Sequence, residues 1–374
     1  MKILDIAPYF HAKSGGIRRY LLEKSFYLKD KPLQHILVIP GKERKVDYLN
    51  STKVYQLPSF PIPMTGGYRF FNSLKEIEEI LQIEKPDIVE LEGTYIPITA
   101  LRSEEYRLVV FYHADIRADV SLIPIAGNLK KKIIDYVIYN KLSNADMIIT
   151  PSKQQEEFLR SYCLENVCTV NLGVDTKVFN LSKRNPYINR LFGIRDDSFK
   201  VIYAGRLSRD KNIDLMLEVI DMLNTSFFHF IIAGDGPLKR KVKKFSEKRP
   251  NVTYLGYIHD REELAELYAS CDIYLSTSSN ETYGLAFLEA QACGCILVAV
   301  DMGLETQPFK QFLVKDITVS DFYSALIKAV NCQNFYTRQT ISTYIHENFS
   351  WEKTFSTLLE LYYQILSGTL GKLK

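Results

Sequence analysis

The residues with the clearest potential for chemistry lie between positions 278 and 290, where a polar loop leads into a helical pattern through Gly284. The loop follows the apolar run 273–276, which is typical of a buried strand. A helix beginning at this glycine leaves the backbone N–H groups of its first turn without intrahelical acceptors, and its positive end attracts anions. We therefore predict a diphosphate site formed by Thr282, Tyr283, Gly284 and Leu285.

The same stretch carries two glutamates, Glu281 in the loop and Glu289 about two helical turns later. Carboxylates accept hydrogen bonds from hydroxyl groups, so the pair suits two parts of one ligand that is rich in hydroxyls, such as a sugar and a ribose. Two glutamates alone would read as solvated surface residues. The adjoining loop and glycine favour the functional interpretation.

A second cluster, residues 204–212, places Arg206 and Lys211 where a strand ends and a helix begins. A nucleoside diphosphate gains negative charge when it leaves a sugar, and paired cations stabilise that charge. No Asp-x-Asp pair offers a metal clamp, so we predict a reaction that needs no metal and no cofactor. Arg209, between the two cations, reads as a surface residue.

Glycine loops and one histidine complete the candidate residues. Gly15 and Gly16 lie between the first strand and the first helix, where a backbone can approach a ligand closely. Gly234 ends another strand, in a position that suits a plain turn as well as a ligand contact. His113 ends the buried strand pattern 107–113. Because open parallel sheets bind ligands beyond the carboxyl ends of their strands, we expect His113 to contact the sugar.

Short β-branched runs alternate with helical patterns along nearly the whole chain, which predicts parallel sheets and an α/β fold. The predicted strands are 2–8, 35–40, 87–91, 107–113, 146–150, 169–172, 200–204, 228–233, 252–255, 273–276 and 296–300. The predicted helices include 17–28, 70–81, 129–142, 153–162 and 351–366, with Ser152 as an N-cap. The break at 173–195 predicts two doubly wound domains, residues 1–175 with a returning helix 352–374, and residues 176–351.

Composition excludes several classes of protein. The chain has 374 residues, a net charge of +3 and six cysteines without zinc-ligand spacing, which disfavours nucleic acid and structural metal as partners. No segment has the length of apolar sequence that a membrane helix needs, so we expect a cytoplasmic protein. The basic and apolar segment 129–139 predicts either a helix packed on the core or a peripheral contact with the inner face of the plasma membrane.

The spacing of Glu281 and Glu289, the Arg206 and Lys211 pair, the Gly15–Gly16 loop and His113 resemble the retaining GT-B glycosyltransferases of family 4 (glycosyl transferases group 1). The resemblance covers nearly the whole chain. It implies two Rossmann-like domains facing a central cleft, with the donor held mainly by the second domain. It also implies that Glu281 contacts the transferred sugar, Glu289 the ribose, the two cations the diphosphate, and His113 the sugar.

The sequence departs from the family pattern after Glu289. Cys295 stands where a proline is usual, and residues 302–305 replace a Gly-Gly pair that leads to a glutamate. Donor selectivity in this region is therefore open.

The function implied is transfer of a hexose, with retention, from GDP-mannose or a UDP-hexose to a glycan or lipid-linked acceptor in cell-envelope polysaccharide or glycolipid biosynthesis. Two alternatives stay open at this point: a nucleotide-sugar epimerase on the same fold, and a non-catalytic nucleotide-binding partner subunit.

Overall fold

The computed structural model describes residues 1–11, 15–61, 69–94, 104–113, 115–121, 126–140, 142–223 and 227–369. The chain divides into two compact units. Unit 1 contains Met1–Leu172 and Trp351–Lys374, and unit 2 contains Gly173–Ser350. The prediction of α/β units built on parallel sheets is confirmed.

Unit 1 is built on a mainly parallel sheet. Its strands in the described ranges are β1 (Lys2–Ile6), β2 (Gln34–Gly41), β3 (Lys45–Leu49), β4 (Thr52–Pro61), β5 (Arg69–Phe71), β6 (Ile88–Glu92), β7 (Arg107–Phe111), β8 (Met147–Thr150) and β9 (Val167–Thr169). They follow the order β3-β4-β2-β1-β6-β7-β8-β9, and β5 pairs with β4. The helices between them are α1 (Gly16–Leu28), α2 (Lys75–Glu84), α3 (Ile116–Ser121), α4 (Gly127–Asn140) and α5 (Lys153–Arg160).

Several local predictions in unit 1 were wrong. The predicted helix 70–81 is a strand at its start, because Phe70 and Phe71 pair antiparallel with β4, and the helix begins only at Lys75. The antiparallel strand β3 was not predicted. The last strand is Val167–Thr169 rather than 169–172. Ser152 caps α5 as predicted, since its side chain accepts from the Gln155 N–H.

Unit 2 is built on a wholly parallel five-stranded sheet in its described part. The strands are β10 (Phe199–Ala204), β11 (Phe228–Ala233), β12 (Val252–Gly256), β13 (Ile273–Ser276) and β14 (Ile296–Ala299), in the order β12-β11-β10-β13-β14. The helices are α6 (Ile188–Phe192), α7 (Ile213–Met222), α8 (Lys239–Ser246), α9 (Arg261–Ser270), α10 (Leu285–Ala292), α11 (Val319–Cys332) and α12 (Phe335–Asn348).

Helix α13 (Trp351–Leu366) returns to unit 1 and has the bounds that the sequence predicts. Its buried face includes Phe355, Leu358 and Tyr362, as the apolar spacing indicates. Apolar spacing alone would place Tyr363 and Leu366 on the same face, but they are 55% and 38% exposed, and Ile365 is buried. Residues beyond 369 lie outside the described ranges.

The strand order places a switch point in each sheet. In unit 1, β1 is flanked by β2 on one side and β6 on the other; in unit 2, β10 is flanked by β11 and β13. From two such neighbouring strands, the chain continues toward opposite edges of the sheet. A crevice results at the carboxyl ends of the strands, and open α/β sheets bind their ligands there. The loops after β10 and β13 carry Arg206, Lys211, Glu281 and residues 282–284 of the predicted donor site.

Helix α4 has an inner and an outer face. Val137 and Ile138 are buried against the core, as the core-packed interpretation predicts. Leu129, Tyr136 and Tyr139 are 47%, 52% and 55% exposed. Among the helices in the described ranges, none is both long and apolar enough to cross a bilayer.

Candidate active site

Side-chain hydrogen bonds tie together the two loops at the switch point of unit 2. The Asn212 amide donates to the Thr277 carbonyl at 3.0 Å and to Ser279 Oγ at 3.3 Å. The Thr277 hydroxyl is placed to donate to the carbonyl oxygens of Lys211 and Asn212, at 3.2 and 3.0 Å. Asn212 has a φ of 49°, a left-handed conformation that asparagine tolerates better than most residues. These bonds fix the distance between the cationic loop and the glutamate loop.

Lys211 and Glu281 form an ion pair across these loops. Lys211 Nζ donates to Glu281 Oε1 at 2.7 Å and to the Asn280 carbonyl at 3.3 Å. The side chains are 21% and 20% exposed, so both remain accessible to a ligand. The sequence predicts a diphosphate contact for Lys211 and a sugar contact for Glu281, and the structure places these two groups side by side.

Arg206 lies at the same edge of the sheet and is exposed. The Tyr203 hydroxyl donates to the Arg206 carbonyl at 2.8 Å. Burial raises the pKa of Tyr203, Glu281 raises it further, and the Arg206 guanidinium opposes them. Because one buried phenol senses both charges, Arg206 and Glu281 both lie near the Tyr203 hydroxyl. The structure thus brings Arg206, Lys211 and Glu281 together.

Helix α10 begins directly after Gly284, as predicted. Gly284 is the N-cap residue, with a φ of 83°, and a Cβ there would lie 2.7 Å from the Phe287 ring. Thr282 is exposed, whereas the Tyr283 side chain is buried, so Tyr283 can offer a ligand only its backbone. The first-turn N–H groups of α10, including that of Leu285, point from a positive helix end toward the loop.

Glu289 is half-buried within α10. Burial raises the pKa of Tyr274, with added contributions from Tyr203, Glu281 and Glu289. Both glutamates therefore lie near the Tyr274 ring, whose hydroxyl donates to the Ala204 carbonyl at the end of β10. Their placement around one strand end is compatible with a contact of Glu281 with the sugar and of Glu289 with the ribose. These two contacts stay predictions.

The segment that departs from the family pattern is held by a buried amide. Gln307 is fully buried; its Nε2 donates to the Val300 carbonyl, and its Oε1 accepts from the N–H groups of Met302 and Leu304. The adjacent Thr306 hydroxyl donates to the Tyr283 carbonyl at 2.7 Å. The loop after β14 is therefore coupled to the loop that precedes α10. Sequence reasoning did not identify Gln307 or Thr306.

Gly234 has a structural explanation. Its φ is 147°, and a Cβ there would lie 1.9 Å from the Gly205 carbonyl oxygen. Close packing of the two loops thus requires glycine at this position. A contact between Gly234 and the ligand stays a prediction.

In unit 1, the Gly15–Gly16 loop leaves open space. A Cβ at Gly15 would meet no described atom within 4 Å, and α1 begins at Gly16 without a side-chain cap. Ser14, which precedes these glycines in the sequence, lies outside the described ranges. Crowding inside unit 1 therefore does not require a glycine at position 15, and the contact of Gly15 and Gly16 with a ligand stays a prediction.

His113 is more enclosed than the sequence predicts. Its side chain is 4% exposed, and its Nε2 is hydrogen-bonded to Glu92 Oε2. The ring stacks on Phe111 with centroids 4.1 Å apart and meets the Tyr20 ring edge-on at 4.9 Å. Burial lowers the pKa of His113 to about 3, so the imidazole is neutral at physiological pH. Asp115, which follows closely, pairs instead with Arg117.

A buried charge network beside His113 was missed from the sequence. Asp5 of β1 is the register partner of Glu90 of β6, and Lys24 of α1 binds both carboxylates, at 2.9 and 2.8 Å. The hydroxyls of Tyr20 and Tyr362 also donate to Glu90. The network joins α1 and α13 to the two strands at the switch point of unit 1.

Electrostatic pairing keeps Lys24 and Asp5 charged. Burial would lower the pKa of Lys24, but Asp5 and Glu90 together raise it above its usual value. Burial would raise the pKa of Asp5, but Lys24 and His35 bring it below its usual value. Oxygens of Asp5, Glu90 and Glu92 lie within 4.8 Å of one another, a spacing suited to a metal ion. The Lys24 ammonium already binds two of the three carboxylates.

The sequence did contain a signal for this network. The strand Ile88–Glu92 alternates apolar residues with Glu90 and Glu92, and every residue of it is buried. Two carboxylates on one face of a fully buried strand require partners, because burying an unpaired charge is costly. The apolar pattern predicted the strand, and its two buried glutamates were the signal that groups able to neutralise them lie beside it.

Comparison with known proteins identifies the family. Residues 14–178 match the model of Glycosyltransferase Family 4, and residues 188–345 match the model of Glycosyl transferases group 1. The fold and the two matches define the class: a glycosyltransferase of the GT-B fold. Within that class, the chain belongs to family 4.

Similar proteins include two bacterial mannosyltransferases. The chain is 28% identical to a GDP-mannose-dependent alpha-(1-6)-phosphatidylinositol dimannoside mannosyltransferase of Mycobacterium tuberculosis, over 79% of this chain and 78% of the relative. It is 23% identical to a GDP-mannose-dependent alpha-mannosyltransferase of Corynebacterium glutamicum, over 79% and 71%. Its fold is similar to that of sucrose-phosphate synthase from Thermosynechococcus elongatus, with a TM-score of 0.80, 17% identity, and 98% and 100% coverage.

The carboxylate contacts of Lys24 in unit 1 and of Lys211 in unit 2 allow a matched test of stability. Lys24→Met leaves buried carboxylates without their cation, and we expect a loss of about 3–5 kcal/mol in the free energy of unfolding. Lys211→Met removes an ion pair of similar length that is partly exposed, and we expect a loss below about 1 kcal/mol. Urea denaturation followed by fluorescence compares the two variants. Equal losses would contradict the structural role of the Lys24 network.

Proposed function

We propose that this glycosyltransferase is a retaining, metal-independent hexosyltransferase that uses a nucleoside diphosphate sugar. The observation that carries the proposal is the convergence of Arg206, Lys211 and the positive end of α10 at the switch point of unit 2. These groups form an anion-binding surface beside a carboxylate that can orient a sugar. A departing nucleoside diphosphate is the anion that suits them.

The names of relatives support GDP-mannose as the donor, with a UDP-hexose as the alternative. Both mannosyltransferases described above are named as GDP-mannose-dependent. Their identity to this chain, 28% and 23%, leaves the choice of sugar and base to experiment.

The proposed roles follow from placement. Arg206, Lys211 and the backbone of 282–285 would hold the diphosphate, Glu281 the transferred sugar, and Glu289 the ribose. Lys211 has one N–H donor left besides those that bind Glu281 and the Asn280 carbonyl, so it can bind phosphate while it still orients the glutamate. The two cations would supply the charge compensation that a metal ion supplies in other transferases.

Retention is proposed to occur by attack of the acceptor hydroxyl from the side of the leaving group. The bond between the sugar anomeric carbon and the phosphate oxygen breaks, and the bond to the acceptor oxygen forms on the same face. The acceptor proton passes to the β-phosphate. Arg206 and Lys211 contribute by stabilising the charge that develops on the diphosphate in the transition state.

Substitution of the cations tests the donor site. We expect Arg206→Ala and Lys211→Ala each to lower kcat/KM for the nucleotide sugar by about 10²–10³-fold, because each removes a charge that stabilises the leaving group. Arg209→Ala, in the same segment, is the control and should stay within about threefold of the unsubstituted protein. Transfer to added acceptor is measured with GDP-mannose and with UDP-hexoses.

Full activity in both variants would overturn the site assignment. The same assay without acceptor separates the alternatives raised by the sequence. An epimerase would convert the nucleotide sugar by itself, and a non-catalytic subunit would bind it without turnover.

We propose a glycan or lipid-linked acceptor at unit 1 and a peripheral contact with the inner face of the plasma membrane. One relative is named for a phosphatidylinositol dimannoside substrate. Leu129, Tyr136 and Tyr139 of α4 are exposed, and so are Lys131 and Lys132 of its first turns. Aromatic and basic side chains together suit the interface of an anionic membrane.

Vesicle binding tests the membrane contact. We expect binding to phosphatidylglycerol-containing vesicles at low salt, and about 30-fold weaker binding for Lys131→Ala/Lys132→Ala, from about 1 kcal/mol for each lysine near an anionic surface. The exposed pair Lys243 and Lys244 of α8 provides the matched control, Lys243→Ala/Lys244→Ala. Sedimentation with vesicles measures each variant. No binding, or equal loss in both variants, would refute the α4 contact.

A further inference from the structure

Strand β3 forms one edge of the sheet in unit 1. It pairs antiparallel with β4, and within the described ranges no strand pairs with its other side. Leu49 and Thr52 close a two-residue turn, and hydrogen-bonded pairs alternate with non-hydrogen-bonded pairs along an antiparallel ladder. Val46 and Tyr48 therefore direct their backbone N–H and C=O groups away from β4. In agreement, the Tyr48 N–H donates to the side chain of Asp47, at 2.9 Å.

The side chains of Val46 and Tyr48 lie on the face of the sheet that α2 covers. Their register partners on β4 are Tyr55 and Lys53, and directly opposed side chains share one face of a sheet. Both partners are hydrogen-bonded to Glu84 of α2, each at 2.6 Å. Val46 and Tyr48 continue this face at the edge of the sheet, where they are 47% and 67% exposed.

Helix α2 adds a third exposed apolar side chain along this edge. Arg44, which precedes β3, forms an ion pair with Glu79 of α2 at 3.1 Å. Ile83 follows Glu79 by one turn on the same side of the helix and is 64% exposed. Val46, Tyr48 and Ile83 therefore form an apolar patch beside the open side of β3. An unpaired strand edge with apolar side chains next to it is a template for pairing with another chain.

The other face of β3 carries two charges of opposite sign. Lys45 and Asp47 form an ion pair at 2.7 Å, and their side chains are 54% and 52% exposed. Lysines of one sign on an edge strand would repel a second copy of the strand. In an antiparallel pair of two β3 strands centred on Val46, however, Lys45 of each copy lies opposite Asp47 of the other. A pair centred on Asp47 would oppose two aspartates, so charge selects the register at Val46.

We propose that β3 is the contact between two copies of this chain, which pair antiparallel about a two-fold axis at Val46. The N–H and C=O groups of Val46 bond to those of Val46 in the second copy, and Lys45 and Asp47 pair across the axis. Tyr48 then lies opposite Arg44 of the second copy, a pairing of an aromatic ring with a cation. The contact uses residues of unit 1 alone and does not depend on the proposed function.

Sedimentation equilibrium of the full chain over a concentration series tests this dimer. Lys45→Asp should raise the dimer dissociation constant by about 30-fold, because two facing charge pairs change from attraction to repulsion. Asp47→Lys should weaken the dimer in the same way. An equimolar mixture of the two variants should dimerise again, since each chain then meets the opposite charge. The exchanged variant Lys45→Asp/Asp47→Lys should dimerise like the unsubstituted chain, which also shows that the substitutions leave the fold intact.

Arg195→Asp is the matched control. Arg195 forms an exposed ion pair with Asp197, also two positions away and also at 2.7 Å, but in unit 2. This variant should dimerise like the unsubstituted chain, and an equal loss there would refute the role of β3.

Hydrogen exchange followed by mass spectrometry locates the contact. The segment that contains Val46 should exchange more slowly at high protein concentration than at low concentration, because its outward N–H becomes bonded in the dimer. A dimer without this protection would use another surface and would overturn the inference. So would a chain that stays monomeric up to about 100 μM, or a mixture of the two single variants that fails to dimerise.

Discussion

The site in unit 2 depends on the strand order of its parallel sheet. The strands β10 and β13 are neighbours, and from them the chain continues toward opposite edges of the sheet. At that point two loops leave neighbouring strands side by side, and Asn212 and Thr277 bond them to each other through side chain and backbone. The cations on one loop and the carboxylate on the other therefore come within hydrogen-bond distance. Without this strand order, Lys211 and Glu281, 70 positions apart in the chain, would have no reason to meet.

Buried charge plays a different part in unit 1. Asp5, Lys24 and Glu90 are removed from water and satisfied by one another and by two tyrosine hydroxyls. Such a network stabilises only when every member has a partner, so it specifies how α1 and α13 sit on the sheet. Glu92 is the member left with an oxygen that accepts no hydrogen bond from the described chain, and it is the one that contacts His113.

Much of the architecture could be predicted because it follows from local pattern. The apolar runs gave the strands of unit 2 to within a residue or two, and Gly284 marked the start of α10. The predictions failed where pairing over distance overrides local preference. Phe70 and Phe71 fit a helix but pair with β4, and the partners of Glu90 come from segments 66 and 272 positions away. Likewise, a histidine at a strand end is visible in sequence, but its enclosure by Phe111, Tyr20 and Glu92 is not.

A crystal structure with a bound nucleoside diphosphate tests the central claim most directly. The account predicts that the β-phosphate lies within hydrogen-bond distance of Arg206, Lys211 and the first-turn N–H groups of α10, with Glu281 beside the position of the sugar. A diphosphate bound away from these groups, with Lys211 and Glu281 still paired only to each other, would contradict it.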